Sequence, residues 1–143
     1  ENSKGIFMGK VIKELSKNNI KMNITAVYTH QQTSKILSKI KKGKSKVIIS
    51  IFAGRAGDVG KDPVPEIKKS INFAKKFKNV KILWASVREP YNYLQASQLG
   101  CHIITIPPSI ISKIESFGKS FKTLTNDTVK AFLVDSKKSR FKI

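Results

Sequence analysis

The chain is predicted to be an α/β protein with parallel strands, on three observations. Short apolar, β-branched runs alternate with segments whose apolar residues recur at helical spacing. The run Lys46 to Phe52, "KVIISIF", is apolar after its first residue at every position but Ser50 rather than at every second position, as a strand covered on both faces requires. Polar residues gather where such runs end, and in parallel α/β proteins that is where working groups cluster.

Taken in order, Ile6, Phe7, Val11, Ile12 and Leu15 predict a helix over about residues 6–18. "MNITAVYT" (Met22 to Thr29) is short, β-branched and aromatic, and predicts a strand. Thr29 and Gln32 stand at capping-box spacing and open a helix through "QQTSKILSKI". "KVIISIF" is the second strand. "AGRAGDVGKDPV" is expected as a long loop, followed by a helix over "PEIKKSINFAKKF" with Pro65 near its first turn. "VKILWAS" (Val80 to Ser86) is the third strand, and its helix starts at Pro90 and stops at Gly100. "HIITI" (His102 to Ile106) is the fourth strand, "PPSIISKIESFG" its helix, and "LTNDTVKAFLVDSKKS" a closing amphipathic helix. One helix, four βα units and one more helix imply parallel strands with right-handed crossovers. Four such units make half of an eight-fold barrel or a small open sheet.

With 143 residues the chain has room for one domain with a real core and not for two. A hydrophobic content of 40% and a mean hydropathy of -0.23 fit a soluble globular protein. No apolar run approaches the roughly 18 residues of a membrane helix, and residues 1–10 lack the pattern of a signal peptide, so no membrane partner is expected. The single cysteine, Cys101, permits no internal disulfide and fits a reducing, cytoplasmic setting. The chain begins with Glu1 rather than Met and is expected to be a piece of something longer. A net charge of +19 suits nucleic acid or acidic lipid. The lysines, however, are spread through every segment, without the aromatic-interleaved strand of an RNA reader or the spacing of a helix-turn-helix or zinc finger. A solvated lysine-rich surface is therefore favoured over a specific nucleic-acid partner. The densest run, "KIKKGKSK" (Lys39 to Lys46), joins a helix to a strand.

Arginine is the exception in this composition: of 28 Lys and Arg, only Arg55, Arg88 and Arg140 are arginine. Arg55 lies just past the second strand and Arg88 just past the third, at one rim. A guanidinium presents a rigid fork of donors that matches phosphate. Asn23 and Thr25 alternate within the first strand, Ser50 lies near the end of the second, and Ser86 ends the third. Together they suggest a pocket for a phosphorylated small molecule. Two other assignments compete: Asn23 and Thr25 satisfying each other, and Arg55 bracing its own loop through Asp58 or Asp62. His30, at a helix start, and His102, at the opposite end of its strand, are given no role. Cys101 beside His102 lacks metal-ligand companions, so a buried thiol and no metal site are expected. No phosphate-binding glycine loop of the GxGxxG or GxxxxGK[ST] type is present.

Four strings, "NITAVYT", "SIFAGRAGDVGKDPVP", "LWASVREPYNYLQASQLGCHIITIPP" and "GKSFKTLTNDTVKAF", together resemble the transaldolases, particularly the short bacterial ones close to fructose-6-phosphate aldolase. The similarity runs in order from about Gly5 to Phe132. It implies a (β/α)8 TIM barrel of carbohydrate metabolism, the pentose phosphate pathway included, that uses a lysine Schiff base to transfer or cleave a dihydroxyacetone unit among phosphosugars without a cofactor. On matching positions it implies that Thr25 holds the catalytic water and that Asn23 contacts substrate hydroxyls. Ser50 and Ser86 would line the pocket, Phe52 would form its wall, and Arg55 with Arg88 would clamp the phosphate. The resemblance places the chain as the C-terminal half of the barrel, strands 5 to 8. Residues 1–20 would be the helix after the fourth strand, 21–118 four βα units, and 119–143 a C-terminal helix and tail. The full-length form is expected to be a homo-oligomer. In the family the Schiff-base lysine lies on the fourth strand, and Lys4, Lys10, Lys46 and Lys81 do not match its position. The chain alone is therefore expected to be inactive. Fructose-6-phosphate cleavage and a basic nucleic-acid-binding module are the competing functions.

Overall fold

The computed structural model describes residues 1–40 and 45–139. Residues 41–44 of the basic run Lys39 to Lys46 lie outside the described residues. The elements are α1 (Gly9–Lys17), β1 (Met22–Val27), α2 (His30–Leu37), β2 (Val47–Phe52), α3 (Ala53–Gly57), α4 (Val64–Ala74), β3 (Val80–Ala85), α5 (Tyr91–Gln98), β4 (Ile103–Ile104), α6 (Pro108–Ile114) and α7 (Phe121–Ser139). The four strands form one sheet in the order β1-β2-β3-β4, and every neighbouring pair is parallel. The α/β class and the parallel sheet are as the sequence predicts.

The sheet has two unlike faces. Val47, Ile49 and Ile51 of β2 and Val80, Ile82 and Trp84 of β3 are buried on the helix side. They form one core with Ile36 and Leu37 of α2, Ile67 and Ile71 of α4, Ala96 of α5 and Ile110 of α6. Each fully buried Ile or Val contributes roughly 1.5–3 kcal/mol over its exposed state, so this face anchors the unit. Strand alternation turns Ile48, Ser50 and Phe52 of β2, and Lys81, Leu83 and Ala85 of β3, to the other face. The continuous apolar run of β2 therefore reflects a strand with helices on one side and a partly polar face on the other.

Local signals explain where the helices start and stop. The Thr29 hydroxyl accepts from the Gln32 amide at 3.2 Å, and Gln32 Oε1 accepts from the Thr29 amide at 3.1 Å. That is the reciprocal capping box which the spacing predicts. Pro65 sits in the first turn of α4, where a missing N–H costs nothing. Gly100 ends α5 with φ of 65°. The Cys101 amide reaches Ala96 O and the Gly100 amide reaches Ser97 O, each at 2.9 Å, a Schellman closure.

The structure departs from expectation at three places. The expected loop after β2 begins with a helical turn, α3, whose Asp58 amide bonds back to Gly54 O at 2.8 Å. The fourth strand shrinks from His102–Ile106 to Ile103–Ile104; at its start the Ile82 amide is taken by the imidazole Nδ1 of His102 at 3.1 Å rather than by a strand carbonyl, and past its end the Thr105 amide still reaches Trp84 O at 3.1 Å. Third, β1 bulges: Ile24 faces Ile49 and Val27 faces Ile51, so three steps on β1 match two on β2, and Ala26 adopts φ of 56°. The extra residue returns Val27 to the buried helix side. Among the described residues no helix is long and apolar enough to cross a membrane.

Thr29→Ala removes one half of the capping box, and we expect it to destabilise the unit by about 1 kcal/mol, with Thr29→Ser close to neutral. Thermal or urea unfolding of the two variants checks this; equal stability of all three proteins would show that the box does not anchor α2.

Candidate functional site

The C-terminal ends of β1, β2 and β3 converge on one rim, and the convergence depends on the absence of a side chain. A Cβ at Gly54 would lie 1.7 Å from the Ser86 carbonyl oxygen and 2.7 Å from Arg88 Cγ. Only glycine lets α3, at the end of β2, approach the turn after β3 this closely. Ser86 itself adopts φ of 62°, the left-handed region that a non-glycine residue rarely enters. The turn is held by Asn92, whose Oδ1 accepts from the Arg88 and Glu89 amides at 3.1 and 3.3 Å. Arg55 and Arg88, distant in sequence, are thereby brought to one rim.

Their side chains do different things. Arg88 grips Asp58 in a fork: Nη2 donates to Oδ2 at 2.8 Å, and Nε donates to both oxygens at 3.2 Å. The Arg88 hydrogen bonds, the largest influence, hold the Asp58 carboxyl below its ordinary range; burial opposes them, and the Arg88 and Arg55 charges add to the lowering. Of the carboxylates proposed to brace the loop through Arg55, Asp58 is gripped by Arg88 instead, and Asp62 accepts from the Val64 amide at 2.9 Å. Arg55 instead lies over the Phe52 ring, 5.4 Å from its centroid. Tyr28, at the end of β1, meets Phe52 edge-on with ring centroids 6.1 Å apart. Tyr28, Phe52 and Arg55 thus form one continuous wall.

Lower on the same face, Ser50 donates its hydroxyl proton to Asn23 Oδ1 at 2.7 Å. Asn23 is therefore satisfied by Ser50, not by Thr25. Thr25 stands at the β1 bulge and lines a cavity of about 60 Å³ with Phe7, Ile12, Gln32 and Ile36. The structure joins Asn23 to Ser50 and Phe52 to Arg55, and it sets Ser86 against Gly54; it does not draw Thr25 into these groups. Three hollows open along the rim. One of about 310 Å³ lies between Tyr28, Arg55, Lys61 and Glu66, and another of about 310 Å³ between Asp58, Arg88, Asn92 and Gln95. The third, about 300 Å³, is bounded by Ser86, Arg88 and Thr105. The two arginines line separate hollows with Asp58 between them.

One constellation escaped sequence reasoning. Glu66 Oε2 accepts from the His30 amide at 2.6 Å and faces the His30 imidazole Nδ1 at 2.7 Å, tying the start of α2 to the first turn of α4. Burial, the largest single influence, pushes the Glu66 carboxyl up, but the His30 amide, the His30 ring and the Lys69 charge together hold it below its ordinary value. The two residues are 36 apart, and no local pattern links them. Cys101 behaves as expected for a packed thiol: its Sγ lies 3.5 Å from Ile82 O and from Ile103 O, and burial pushes its pKa up.

Two predictions follow from this geometry. Gly54→Ala should cost about 1–3 kcal/mol or more through the clash with the Ser86 carbonyl. Gly57→Ala, with nothing within 4 Å of the added methyl, should be tolerated. Paired urea melts decide, and equal stabilities would refute the close approach. Because the folded-state pKa of Glu66 is depressed, its contribution is full above its ordinary value of 4.5 and is lost as pH falls through the lower folded value. We therefore expect the stability gap between wild type and Glu66→Gln to close on acidification through that window; a gap independent of pH would show that the carboxylate charge is not what His30 binds.

Comparison with known proteins places the chain. A sequence model described as "Transaldolase/Fructose-6-phosphate aldolase" matches residues 7–143. A probable transaldolase of Thermoplasma volcanium is 36% identical over 132 residues, 90% of this chain and 54% of that protein. One from Thermoanaerobacter sp. is 31% identical over 135 residues, 94% of this chain and 58% of that protein, and one from Herpetosiphon aurantiacus is 29% identical over 127 residues, 88% and 53%. The chain spans about half the length of the curated relatives it matches. With a parallel α/β sheet, a rim of converging polar groups and a family match over nearly its whole length, the chain belongs to the transaldolase/fructose-6-phosphate aldolase family.

Proposed function

We propose that this chain is the C-terminal half of a (β/α)8 barrel and supplies the phosphate-binding and hydroxyl-binding side of a transaldolase site. The observation that carries the reading is the rim itself: Gly54 brings the loops bearing Arg55 and Arg88 together above the Asn23–Ser50 pair. Strand order supports the reading as well, because four parallel strands in chain order with helices on one face fit four consecutive units of such a barrel.

In this reading the substrate is a phosphosugar whose phosphate meets the guanidinium of Arg55, with Arg88 held beside it by Asp58. Arg88 keeps its fork in place through Asp58, so a phosphate that arrives can exchange for that carboxylate without the guanidinium having to be ordered anew. Phosphate binding far from the reacting carbons orients the chain of carbons. Asn23 and Ser50 accept and donate hydrogen bonds to sugar hydroxyls, and Phe52 forms the apolar wall. Thr25 holds the water that moves protons. A Schiff base on a lysine makes the ketose carbonyl an electron sink, so the neighbouring carbon–carbon bond breaks with its charge delocalised. That lysine is proposed to come from outside this chain. Among the described residues Lys81 is the strand lysine, and it stands at the second position of β3, away from the rim. Transfer of the dihydroxyacetone unit is preferred over its release because the relatives are named probable transaldolases.

Borohydride trapping with fructose 6-phosphate, read by intact mass, tests the proposal. It is applied to this chain and to a chimera in which the portion of the Thermoanaerobacter protein that the chain does not match precedes it. We expect an adduct on the chimera only, and Arg55→Ala in the chimera to raise KM for the phosphosugar about 10- to 100-fold, the loss of one charge-assisted contact. An adduct mapped to a lysine of this chain would reassign the nucleophile. A folded chimera that forms no adduct would refute the transaldolase reading.

A further inference from the structure

Six polar side chains are buried among the described residues, and Asn92 is the one that carries an amide. The other five are hydroxyls that meet side chains of other elements: Ser16 with Ser45, Thr33 with Ser70, and Ser50 with Asn23. Asn92 is used differently. Its Oδ1 accepts from the main-chain amides of Arg88 and Glu89 at 3.1 and 3.3 Å. Its Nδ2 donates to Gln95 Oε1 at 3.0 Å and to Glu89 Oε1 at 3.5 Å. Two backbone N–H groups can be met only by the oxygen of the side chain, so its orientation is fixed. α5 begins at Tyr91, and both amides therefore belong to the chain that precedes the helix. Asn92 reaches backwards and fastens that loop to α5.

The residue so fastened is Arg88. On one side of it Ser86 turns the chain with φ of 62°, and the Ser86 carbonyl is packed against Gly54. On the other side Asn92 holds the main chain, and at the far end of the side chain Asp58 holds Nη2 at 2.8 Å. The two anchors differ in kind. The Arg88–Asp58 pair is exposed to solvent, and in the exchange described above the arriving phosphate takes the place of Asp58. Asn92 is buried and keeps its hold throughout. A long cationic side chain on a free loop gives up conformational freedom when it grips an anion, and that loss weakens binding. An arginine whose main chain is already fixed loses less.

We infer that Asn92 is a positioning residue for phosphate recognition: through the Arg88 and Glu89 amides it sets where the Arg88 guanidinium stands. Gln95 supports it by orienting the Asn92 amide. The inference rests on the phosphate-site reading above and adds a residue that itself touches no substrate.

The Nε–H resonances of Arg55 and Arg88, followed while this chain is titrated with inorganic phosphate, provide the test. In the wild-type chain a saturable shift is expected at both. Asn92→Leu keeps the size of the side chain and removes its hydrogen bonds; it should weaken the Arg88 response about tenfold and leave that of Arg55 in place. Gln95→Leu removes only the acceptor that orients the amide and should weaken it about two- to threefold, which decides the matter if Asn92→Leu does not fold. Asn92→Asp combined with Glu89→Gln keeps the net charge and an acceptor for both amides, and should restore the response to within about twofold of wild type. In the chimera used above, Asn92→Leu should raise the half-saturating concentration of fructose 6-phosphate for adduct formation about tenfold and leave that of fructose unchanged. Equal rises for both sugars, or an Arg88 response that neither leucine variant alters, overturn the inference while the phosphate site stands. A wild-type Arg88 that ignores phosphate refutes the phosphate-site reading itself, and the inference with it.

Discussion

The Ser86 carbonyl oxygen lies where a side chain at position 54 would begin, and the rim of this molecule depends on that contact. Parallel strands are joined by crossovers, so their C-terminal ends carry independent loops that nothing in the ladder forces together. Here a glycine in the first turn after β2 and a left-handed serine after β3 let two such loops touch backbone to backbone. Arg55 and Arg88 belong to one functional surface for that reason. The Arg88–Asp58 fork and the stacking of Arg55 on Phe52 follow once the loops are in contact.

Electrostatics divides the sheet along its strands. At the C-terminal ends the cations are answered: Arg88 by Asp58, and Arg55 by the face of Phe52. At the other end Lys81 and its neighbours face no carboxylate among the described residues. A folded unit tolerates that arrangement only while the face is wet. The helix side, by contrast, is dry at its centre, with Ile49, Ile67, Ile82 and Trp84 fully excluded from solvent. The unit is thus held together on its helix side and open on the side where the sugar is proposed to bind.

The family resemblance and the helix ends were legible in the chain because both rest on neighbouring residues. Thr29 and Gln32 predict a capping box from a spacing of three, and Gly100 predicts the end of α5 from its lack of a Cβ. The late start of β4 was not legible, since there an imidazole takes up a strand amide 20 residues away. Nor was the β1 bulge, where Ala26 carries a conformation that its side chain does not advertise.

By itself the sequence determined the class of fold, the order of the four strands and the scarcity of arginine that drew attention to Arg55 and Arg88. These are consequences of periodicity, composition and short-range stereochemistry. Tertiary structure alone decided the partners: Asp58 for Arg88 rather than for Arg55, Ser50 for Asn23, and Glu66 for His30. A partner is chosen by where two distant backbones come to rest, and that position is set by the packing of the whole sheet rather than by the residues on either side.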